Sequence, residues 1–293
     1  MASLKNTELP PGVLAHGFHK LTHGRFEITV LSDGYITLPP DILMPDGSAE
    51  ERRKLLGRLG GNGEGAPLQT NIPLIRTEAD IILVDVGAGM NFQPTDGRLI
   101  DNLIAIGLDP NSVTKVVLTH AHPDHSGGIT NADGSPVFPN AHYYISEMEW
   151  SFWTDPDFET KMQDGLHEFA RGAQRDLGAV KDRLTMVRAG DEIVSGMAVI
   201  ATRGHTPGHI SLELVGNGGL LIAGDIIPSN IVSFENPRWH FGFDTEPEIA
   251  LANRASLLDR AANDRLRMLG YHWTYPGVGY VEPRGTAYKF VEG

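Results

Sequence analysis

The sequence predicts a mixed α+β fold in which two β-sheets pack against each other and helices cover their outer faces. Segments typical of strands and segments typical of helices are mixed along the 293 residues. The order of these segments occurs twice: strands followed by a helix extend to about residue 180, and strands followed by a helix then occur again. No linker or repeat of fixed length interrupts this pattern. We therefore expect an N-terminal arm over residues 1–24 and a single domain over residues 25–293.

Composition and charge exclude several classes of function. The hydrophobic fraction of 41% and the charged fraction of 21% are ordinary for a globular protein. A formal net charge of -13 argues against nucleic acid or an anionic membrane as partner, since both require basic surfaces. The absence of cysteine excludes disulfides, thiolate ligands and a cysteine nucleophile. The first residues contain no apolar run of signal-peptide length, so a cytoplasmic protein is expected.

The N-terminal part of the chain begins with proline and glycine and then becomes strand-like. Residues 1–24 predict an irregular arm because both residue types recur there. The segment FEITVLSDGYITL (26–38) alternates like two strands, and Asp33–Gly34 predicts a tight turn between them. Charged residues 47–58 favour a helix. The glycine-rich residues 57–67 favour a mobile loop that could act as a lid, and they lack the lysine and hydroxyl of a phosphate-binding loop.

Apolar periodicity and branched residues predict the remaining elements. The strand candidates are residues 70–77, 80–89, 114–120, 141–146, 197–204, 210–215 and 219–225. The helix candidates are residues 99–108, 156–178 and 245–268. The last helix is the clearest, because Thr245 and Glu248 have capping-box spacing and Pro247 stands in the first turn.

The segment LTHAHPDHSGG (118–128) carries the strongest chemical signal. It follows a predicted buried strand directly, so its side chains belong to a loop held by a rigid scaffold. Four ligand-type residues fall within six positions, and they are His120, His122, Asp124 and His125. Imidazole and carboxylate ligands suit zinc, iron and related ions. Four such groups crowd a single ion, so two ions side by side are expected.

Three further ligand candidates stand at the ends of later elements. His205 follows a strand in GHTPGH, Asp225 ends the strand LLIAGD, and His272 follows the long C-terminal helix. Two neighbouring ions favour a bridging carboxylate, and Asp225 is the natural candidate. A single histidine at a strand end is usually a packed or surface residue. The joint arrangement has no common packing explanation, so we interpret all seven side chains as metal ligands.

These motifs resemble those of the metallo-β-lactamase superfamily. The resemblance rests on THAHPDH (119–125), GHTPGH (204–209), the strand end at 224–225, the late His272 and the early ILVDVGAG (82–89). It therefore spans most of the chain. It implies an αββα sandwich, in which two mixed β-sheets are flanked by helices.

The resemblance also implies a role for each ligand. The ligands expected for one ion are His120, His122 and His205. Those expected for the other are Asp124, His125 and His272, with Asp225 bridging. Asp85 matches the early aspartate of the family, so it is expected to orient the ligand loop by hydrogen bonds without binding metal. Zinc is the default ion, and manganese, iron and cobalt are alternatives.

Two divalent ions make a hydrolase the expected enzyme. A water that bridges such ions loses a proton near neutral pH and becomes a hydroxide placed for attack on the substrate. One ion then polarises the substrate's carbonyl or phosphoryl oxygen. Asp124 and Asp225 are the predicted catalytic carboxylates, because Asp124 would orient the hydroxide and Asp225 would bridge the ions.

The substrate class is predicted from four sequence segments. They are similar to the methyl parathion hydrolase and lactonase-like group: FEITVLSDGYITLP, FPNAHYYIS, HTPGHISLEL and YPGVGYVEP. This resemblance implies a small, fairly apolar substrate with an ester, lactone or phosphotriester bond. A homodimer is the expected assembly. Trp150, Trp153 and His240 are interpreted as pocket residues, although aromatic residues at such positions also pack in cores.

Other chemistries of the same fold remain as alternatives. Thioester cleavage of the glyoxalase II type and β-lactam cleavage are both hydrolytic. The chain lacks the cysteine through which some β-lactamases bind their second zinc. An iron-dependent sulfur dioxygenase comes from a different enzyme class, and His125 and Asp225 together disfavour its sparser ligand set. Flavodiiron proteins usually carry glutamate where His122 stands.

Overall fold

Strands rich in apolar and β-branched residues form two mixed β-sheets in the computed structural model, which describes residues 13, 14 and 16–293. The first sheet contains β1 (Phe18–His23), β2 (Phe26–Leu38), β3 (Ala66–Arg76), β4 (Ile81–Val84), β5 (Lys115–Val117), β6 (His142–Ser146) and β7 (Leu184–Val187). The second contains β8 (Glu192–Val194), β9 (Met197–Ala201), β10 (Ile210–Leu214), β11 (Leu220–Ile222), β12 (Arg267–Leu269), β13 (Val278–Arg284) and β14 (Ala287–Glu292).

The helices connect the strands and close the loops around the sheet ends. They are α1 (Pro40–Leu43), α2 (Ala49–Arg58), α3 (Leu99–Ala105), α4 (Pro123–Ser126), α5 (Glu147–Trp153), α6 (Phe158–Lys161), α7 (His167–Val180), α8 (Val232–Glu235) and α9 (Pro247–Asp264). Ser48 begins α2 with a complete capping box, since its hydroxyl accepts from the Glu51 amide and the Glu51 carboxylate accepts from the Ser48 amide. None of the helices in the described residues combines the length and apolarity needed to cross a bilayer.

Strand order explains how both sheets present loops at one end. In the first sheet the strands lie in chain order; β1 to β4 pair antiparallel and β4 to β7 pair parallel. In the second sheet β11 and β12 pair parallel across the helix α9. Because parallel neighbours run in the same direction, the carboxyl ends of their strands lie at the same end of the sheet. The connections between them cross over the sheet. The predicted double occurrence of strands followed by a helix corresponds to this division between β7 and β8.

Three layers of core hold the sheets and helices together. The two sheets face each other through apolar residues such as Ile28 and Val117 from the first sheet and Leu212 from the second. Helices α3 and α7 cover the outer face of the first sheet, and α9 covers the outer face of the second. Two mixed sheets flanked by helices confirm the predicted fold class.

The predicted turn at Asp33–Gly34 is wrong, because β2 continues through it as one strand. The pairing of β2 with β3 shifts register between Ser32 and Gly34, which is a β-bulge. The Asp33 carboxylate accepts hydrogen bonds from the amides of Ala88 (2.9 Å) and Leu99 (2.7 Å). Gly34 has a φ of 109°, and a Cβ there would lie 2.1 Å from a backbone oxygen of residue 95. The Asp-Gly pair thus anchors a neighbouring loop.

Three other segments differ from the sequence prediction. Phe18–His23 forms the edge strand β1 where an irregular arm was expected; residues 1–12 and 15 of that arm lie outside the described residues. The helix predicted over 156–178 is divided into α6 and α7. The predicted capping box of α9 does not form, because the Thr245 amide donates to the backbone oxygen of His205 and Glu246 precedes the helix without a side-chain cap.

Candidate metal centre

The seven predicted ligands converge at the carboxyl ends of strands from both sheets. Four lie in the loop after β5 and in the short helix α4, whereas the other three follow β9, β11 and β12. All seven are at most 6% exposed: His120, His122, Asp124, His125, His205, Asp225 and His272. Parallel pairing of β4 with β5 and of β11 with β12 brings these strand ends together. The fold therefore places residues up to 152 positions apart in one buried cluster (272 minus 120).

Within the cluster, the ligand atoms form three overlapping groups. The groups are His120, His122 and His205; His120, His125 and Asp225; and Asp124, His125 and His272. In each group the ligand atoms all lie within 4.8 Å of one another. Asp225 lies between the first and last groups, since its carboxylate oxygens are 3.3 Å from His125 Nε2, 3.3 Å from His272 Nε2 and 3.6 Å from His205 Nε2.

Hydrogen bonds orient four of the five imidazoles in the same way. Each of these four rings engages a partner through Nδ1 and so directs Nε2 into the cluster. The partners are the Thr119 hydroxyl for His120 (3.1 Å), Asp85 for His125 (2.8 Å), Asp244 for His205 (3.1 Å) and the Gln69 backbone oxygen for His272 (2.9 Å).

His122 is oriented the opposite way. Its Nδ1 lies 3.0 Å from His120 Nε2 and 2.9 Å from His205 Nε2, so three imidazole nitrogens converge on one point. Moreover, His122 Nε2 is buried without a hydrogen-bond partner among the described residues, and His125 Nε2 and Asp225 Oδ1 lie 3.3 Å apart without a hydrogen bond of good geometry. Converging nitrogen lone pairs and unpartnered buried ligand atoms are costly unless a cation binds there. The residues present therefore fit divalent metal ions.

The electrostatics of the cluster also favour cations. Burial lowers the pKa of His120 and His122 well below the ordinary histidine value, which keeps both rings neutral as ligands. Burial also opposes protonation of His272, but Asp225 and Asp124 outweigh it and raise the pKa of His272 to about 10. The same carboxylates raise the pKa of His125 against the effect of burial. Two histidines thus carry the positive charge in a cluster without metal.

Metal binding is therefore expected to release protons at pH 7 to 8. His125 and His272 point Nε2 into the cluster and must lose that proton before they can bind an ion. Because their pKa values are raised, both rings are protonated at this pH without metal, and the apparent metal affinity should rise as pH rises. Calorimetric titration of metal in two buffers with different ionisation enthalpies measures the proton count. Proton uptake, or an affinity that does not change with pH, would contradict this expectation.

Asp85 connects the ligand loop to the end of β4. It follows β4 directly with a φ of 61°, and its side chain is fully buried. The carboxylate accepts hydrogen bonds from the Thr119 amide (2.7 Å) and hydroxyl (2.8 Å) and pairs with His125 Nδ1. These contacts match the orienting role predicted for Asp85. His209 is a hydrogen-bonding neighbour of the cluster, because its Nε2 accepts from the Asp225 amide at 3.0 Å.

Comparison with protein families decides the identity of this arrangement. The family model described as the metallo-beta-lactamase superfamily matches residues 65–272, more than half of the chain. The chain belongs to this superfamily. The predicted resemblance is thereby confirmed, and with it the prediction of a metal-dependent hydrolase.

Several members of the superfamily are similar to this chain. The structure of AidC, described as a dizinc quorum-quenching lactonase in complex with a product, is 27% identical with a TM-score of 0.87 and covers 94% of this chain and 97% of AidC. The structure of the hydrolase AbOPH is 30% identical with a TM-score of 0.88 and covers 95% and 98%. The N-acyl homoserine lactonase AttM of Agrobacterium fabrum (strain C58) is 32% identical over 125 residues, which span 40% of this chain and only 41% of AttM.

In this member of the superfamily, phenylalanines surround the open side of the cluster. A cavity of about 10 Å³ lies against His122, Asp124, His205, Asp225 and His272. Its apolar lining is Ile36, Leu38, Phe92, Phe169, Phe241 and Phe243. The phenyl rings contact one another in a row, with centroids 5.8 to 6.3 Å apart. The lining therefore differs from the one predicted from sequence.

The three predicted pocket residues have other positions. Trp153 is fully buried, and its ring packs edge-on against His122 from within the core at 5.6 Å. Trp150 is partly buried against the same core. His240 hydrogen bonds to Asp46 and Glu248 at the surface. None of the three is among the residues that line the cavity, because the aromatic pattern in the sequence indicated burial without indicating the direction of burial.

Sequence reasoning also missed three buried residues that hold the ligands. Asp244 pairs with both His205 and the buried Arg254. Tyr271 donates from its hydroxyl to the Asp124 backbone oxygen (2.6 Å) and stacks on His125. Glu149 contacts two ligand loops at once. Each acts through tertiary contacts, so the local sequence contains no signal comparable to the histidine spacing.

Proposed function

We propose that this protein is a binuclear metal-dependent hydrolase that cleaves an ester, lactone or phosphotriester bond, with a lactone as the favoured substrate. The observation that carries the proposal is the position of Asp225 between two groups of buried ligands, one formed by His120, His122 and His205 and the other by Asp124, His125 and His272. The names of AidC and AttM as lactonases support the choice of bond. The name of AidC also supports two zinc ions.

Asp124 and Asp225 would have different roles in the proposed reaction. When bound, two divalent ions supply Lewis acidity toward the substrate's carbonyl oxygen and activate water as the nucleophile. Asp124, whose Oδ2 lies 3.1 Å from His272 Nε2, would accept the proton of the attacking water and deliver it to the leaving alkoxide. Asp225 would hold both ions at a fixed separation, which keeps the nucleophile and the carbonyl aligned.

The phenyl rings above the cluster would bind the apolar body of the substrate. A cavity of about 10 Å³ barely has room for one water, so an ester that binds between these rings would have to displace them. Phe92 and Phe243 lie on loops, outside any helix or strand, which makes such a shift inexpensive. An apolar acyl chain fits this lining better than a strongly charged thioester such as a glutathione conjugate.

A substrate panel tests the proposed function. The purified protein, with its metal content measured, is assayed on N-acyl homoserine lactones, aryl esters, phosphotriesters, thioesters and β-lactams. We expect the highest kcat/KM on lactones or aryl esters, loss of turnover after metal removal and recovery when zinc is added back. Turnover confined to thioesters or β-lactams would refute the substrate class. Turnover that survives verified metal removal would refute the metal-dependent reaction.

A further inference from the structure

Glu149 is a buried carboxylate that the chemistry proposed above does not use. It lies in α5, is 0% exposed and accepts four hydrogen bonds. Its Oε1 accepts from the Ala121 amide (2.9 Å) and from Trp153 Nε1 (2.6 Å). Its Oε2 accepts from the Thr206 hydroxyl (2.6 Å) and from the Gly208 amide (3.1 Å). Every lone pair that points into the protein is therefore matched with a donor.

Three of the four donors belong to the two loops that carry His120, His122 and His205, and the fourth, Trp153, lies in the same helix as Glu149. Ala121 stands between His120 and His122, and Thr206 follows His205. One carboxylate from a third element thus connects both loops of the three-histidine group. The contact is also tight at Gly208, because a Cβ there would lie 2.0 Å from the Glu149 amide nitrogen. The loop and the start of α5 cannot move apart without losing this packing.

The opposite group of ligands has a different support. Asp85 pairs with His125, and the Gln69 backbone oxygen fixes His272. None of the four hydrogen bonds that Glu149 makes within the described chain goes to the residues Asp124, His125 or His272. Glu149 therefore supports only the loop segments beside His120, His122 and His205 directly. Asp85 contacts His125 directly and reaches His120 only through the Thr119 hydroxyl.

We propose that Glu149 is a positioning residue that selectively sets the affinity of the ion held by His120, His122 and His205. This inference rests on the two-ion centre of the proposed function. Removing the carboxylate leaves the Ala121 and Gly208 amides buried without acceptors and frees the two loops to separate. Groups that orient metal ligands in this way typically change metal affinity by about 10- to 100-fold when they are removed.

The test compares Glu149→Ala and Glu149→Gln with the wild type and with Asp176→Asn. Asp176 is also a buried carboxylate; it accepts from the Thr130 hydroxyl (2.6 Å) and pairs with Arg175, and neither of these partners lies in residues 119–125 or 204–209. Each protein is loaded with cobalt, titrated with a competing chelator, and followed by metal analysis, visible absorption and thermal melting. The variants His205→Ala and His272→Ala provide the spectra of proteins that lack one ligand of each group.

We expect Glu149→Ala to release one ion at about 10- to 100-fold lower chelator concentration and to give the spectrum of His205→Ala. Glu149→Gln should be intermediate, because its amide oxygen still accepts from Ala121 and Trp153. Asp176→Asn should release its ions as the wild type does.

Two results would overturn the role of Glu149. One is equal release of both ions, or wild-type release, from Glu149→Gln in a sample that melts like Asp176→Asn. The other is a spectrum that matches His272→Ala.

A wild-type protein that holds a single ion would instead refute the two-ion centre, and the affinity of that one ion in Glu149→Gln would then decide the role of Glu149. If Glu149→Ala does not fold, Glu149→Gln alone decides the question.

Discussion

Replacement of Asp225 by alanine is expected to lower kcat/KM by about 10³-fold or more and to reduce the metal content. The carboxylate lies within 3.6 Å of three candidate ligand histidines, so in the proposed two-ion centre its loss would remove a ligand from both ions at once. Metal ions stabilise the transition state of such hydrolyses by several kcal/mol. A loss of about 4 kcal/mol corresponds to about a 10³-fold lower rate. Initial rates on the best substrate of the panel and metal analysis of the same sample measure both effects.

The matched variant for this prediction is Asp225→Asn. It keeps the size of the side chain and one oxygen but removes the charge that counters His125 and His272. We expect it to retain more metal than the alanine variant and still to lose most activity. Full metal loading together with normal turnover in Asp225→Ala would exclude the bridging role.

Metal removal is expected to lower the melting temperature by on the order of 10 °C. Ligands that bind only the folded state stabilise it by about 4 kcal/mol at a concentration a thousand times their Kd. For a domain of this size each kcal/mol corresponds to about 2 °C or slightly more. The effect should be large here because the metal ligands come from both sheets, so bound ions connect loops that follow strands of the two sheets. Calorimetry before and after chelation measures the shift.

Two controls make the thermal experiment decisive. Zinc added back to the chelated protein should restore the original melting temperature, and more chelator added to protein already freed of metal should not shift its melting. An unchanged melting curve after metal analysis has verified complete removal would show that the ions do not contribute to the stability of the fold.

Four of the seven ligand candidates could be predicted from a local signal, and the other three from ligand-type residues at the ends of later elements. His120, His122, Asp124 and His125 fall within one short loop, and the structure places the three more distant candidates beside them. A run of ligand-type residues at a strand end has few explanations other than a metal, whereas most buried polar residues have several. The chemistry of these side chains, together with their spacing, was therefore sufficient to predict the cluster.

Glu149 and the phenylalanines could not be predicted in the same way. Glu149 is a single acidic residue in a short helix, and its partners lie 28, 57 and 59 positions away as well as in its own helix. Phe92, Phe169 and Phe243 come from separate segments that meet only in the folded protein. Local periodicity predicts that such residues are buried, but it contains no information about which surface they share.

The errors in secondary structure also arise from tertiary contacts. Asp33–Gly34 has the composition of a turn, but the Asp33 carboxylate finds donors in a neighbouring loop and the strand continues. Thr245 has capping-box spacing, yet its amide bonds to the ligand loop at His205. The C-terminal helix ends at Asp264, Arg265 then adopts a left-handed conformation, and the following residues join the second sheet as β12. In each case a long-range partner competed successfully with a local preference.

The division of the ligands between the sheets has a consequence for assembly. The three-histidine group takes two members from the first sheet and one from the second, and the group around Asp124 does the same. A nascent chain that ends after β7 therefore carries four ligand side chains but cannot complete either group. His122 and His205, which are 83 positions apart, meet only after the two halves have docked. Completion of either group is thus expected only after both halves have folded and docked, so the complete ligand set serves to secure molecules that have already assembled.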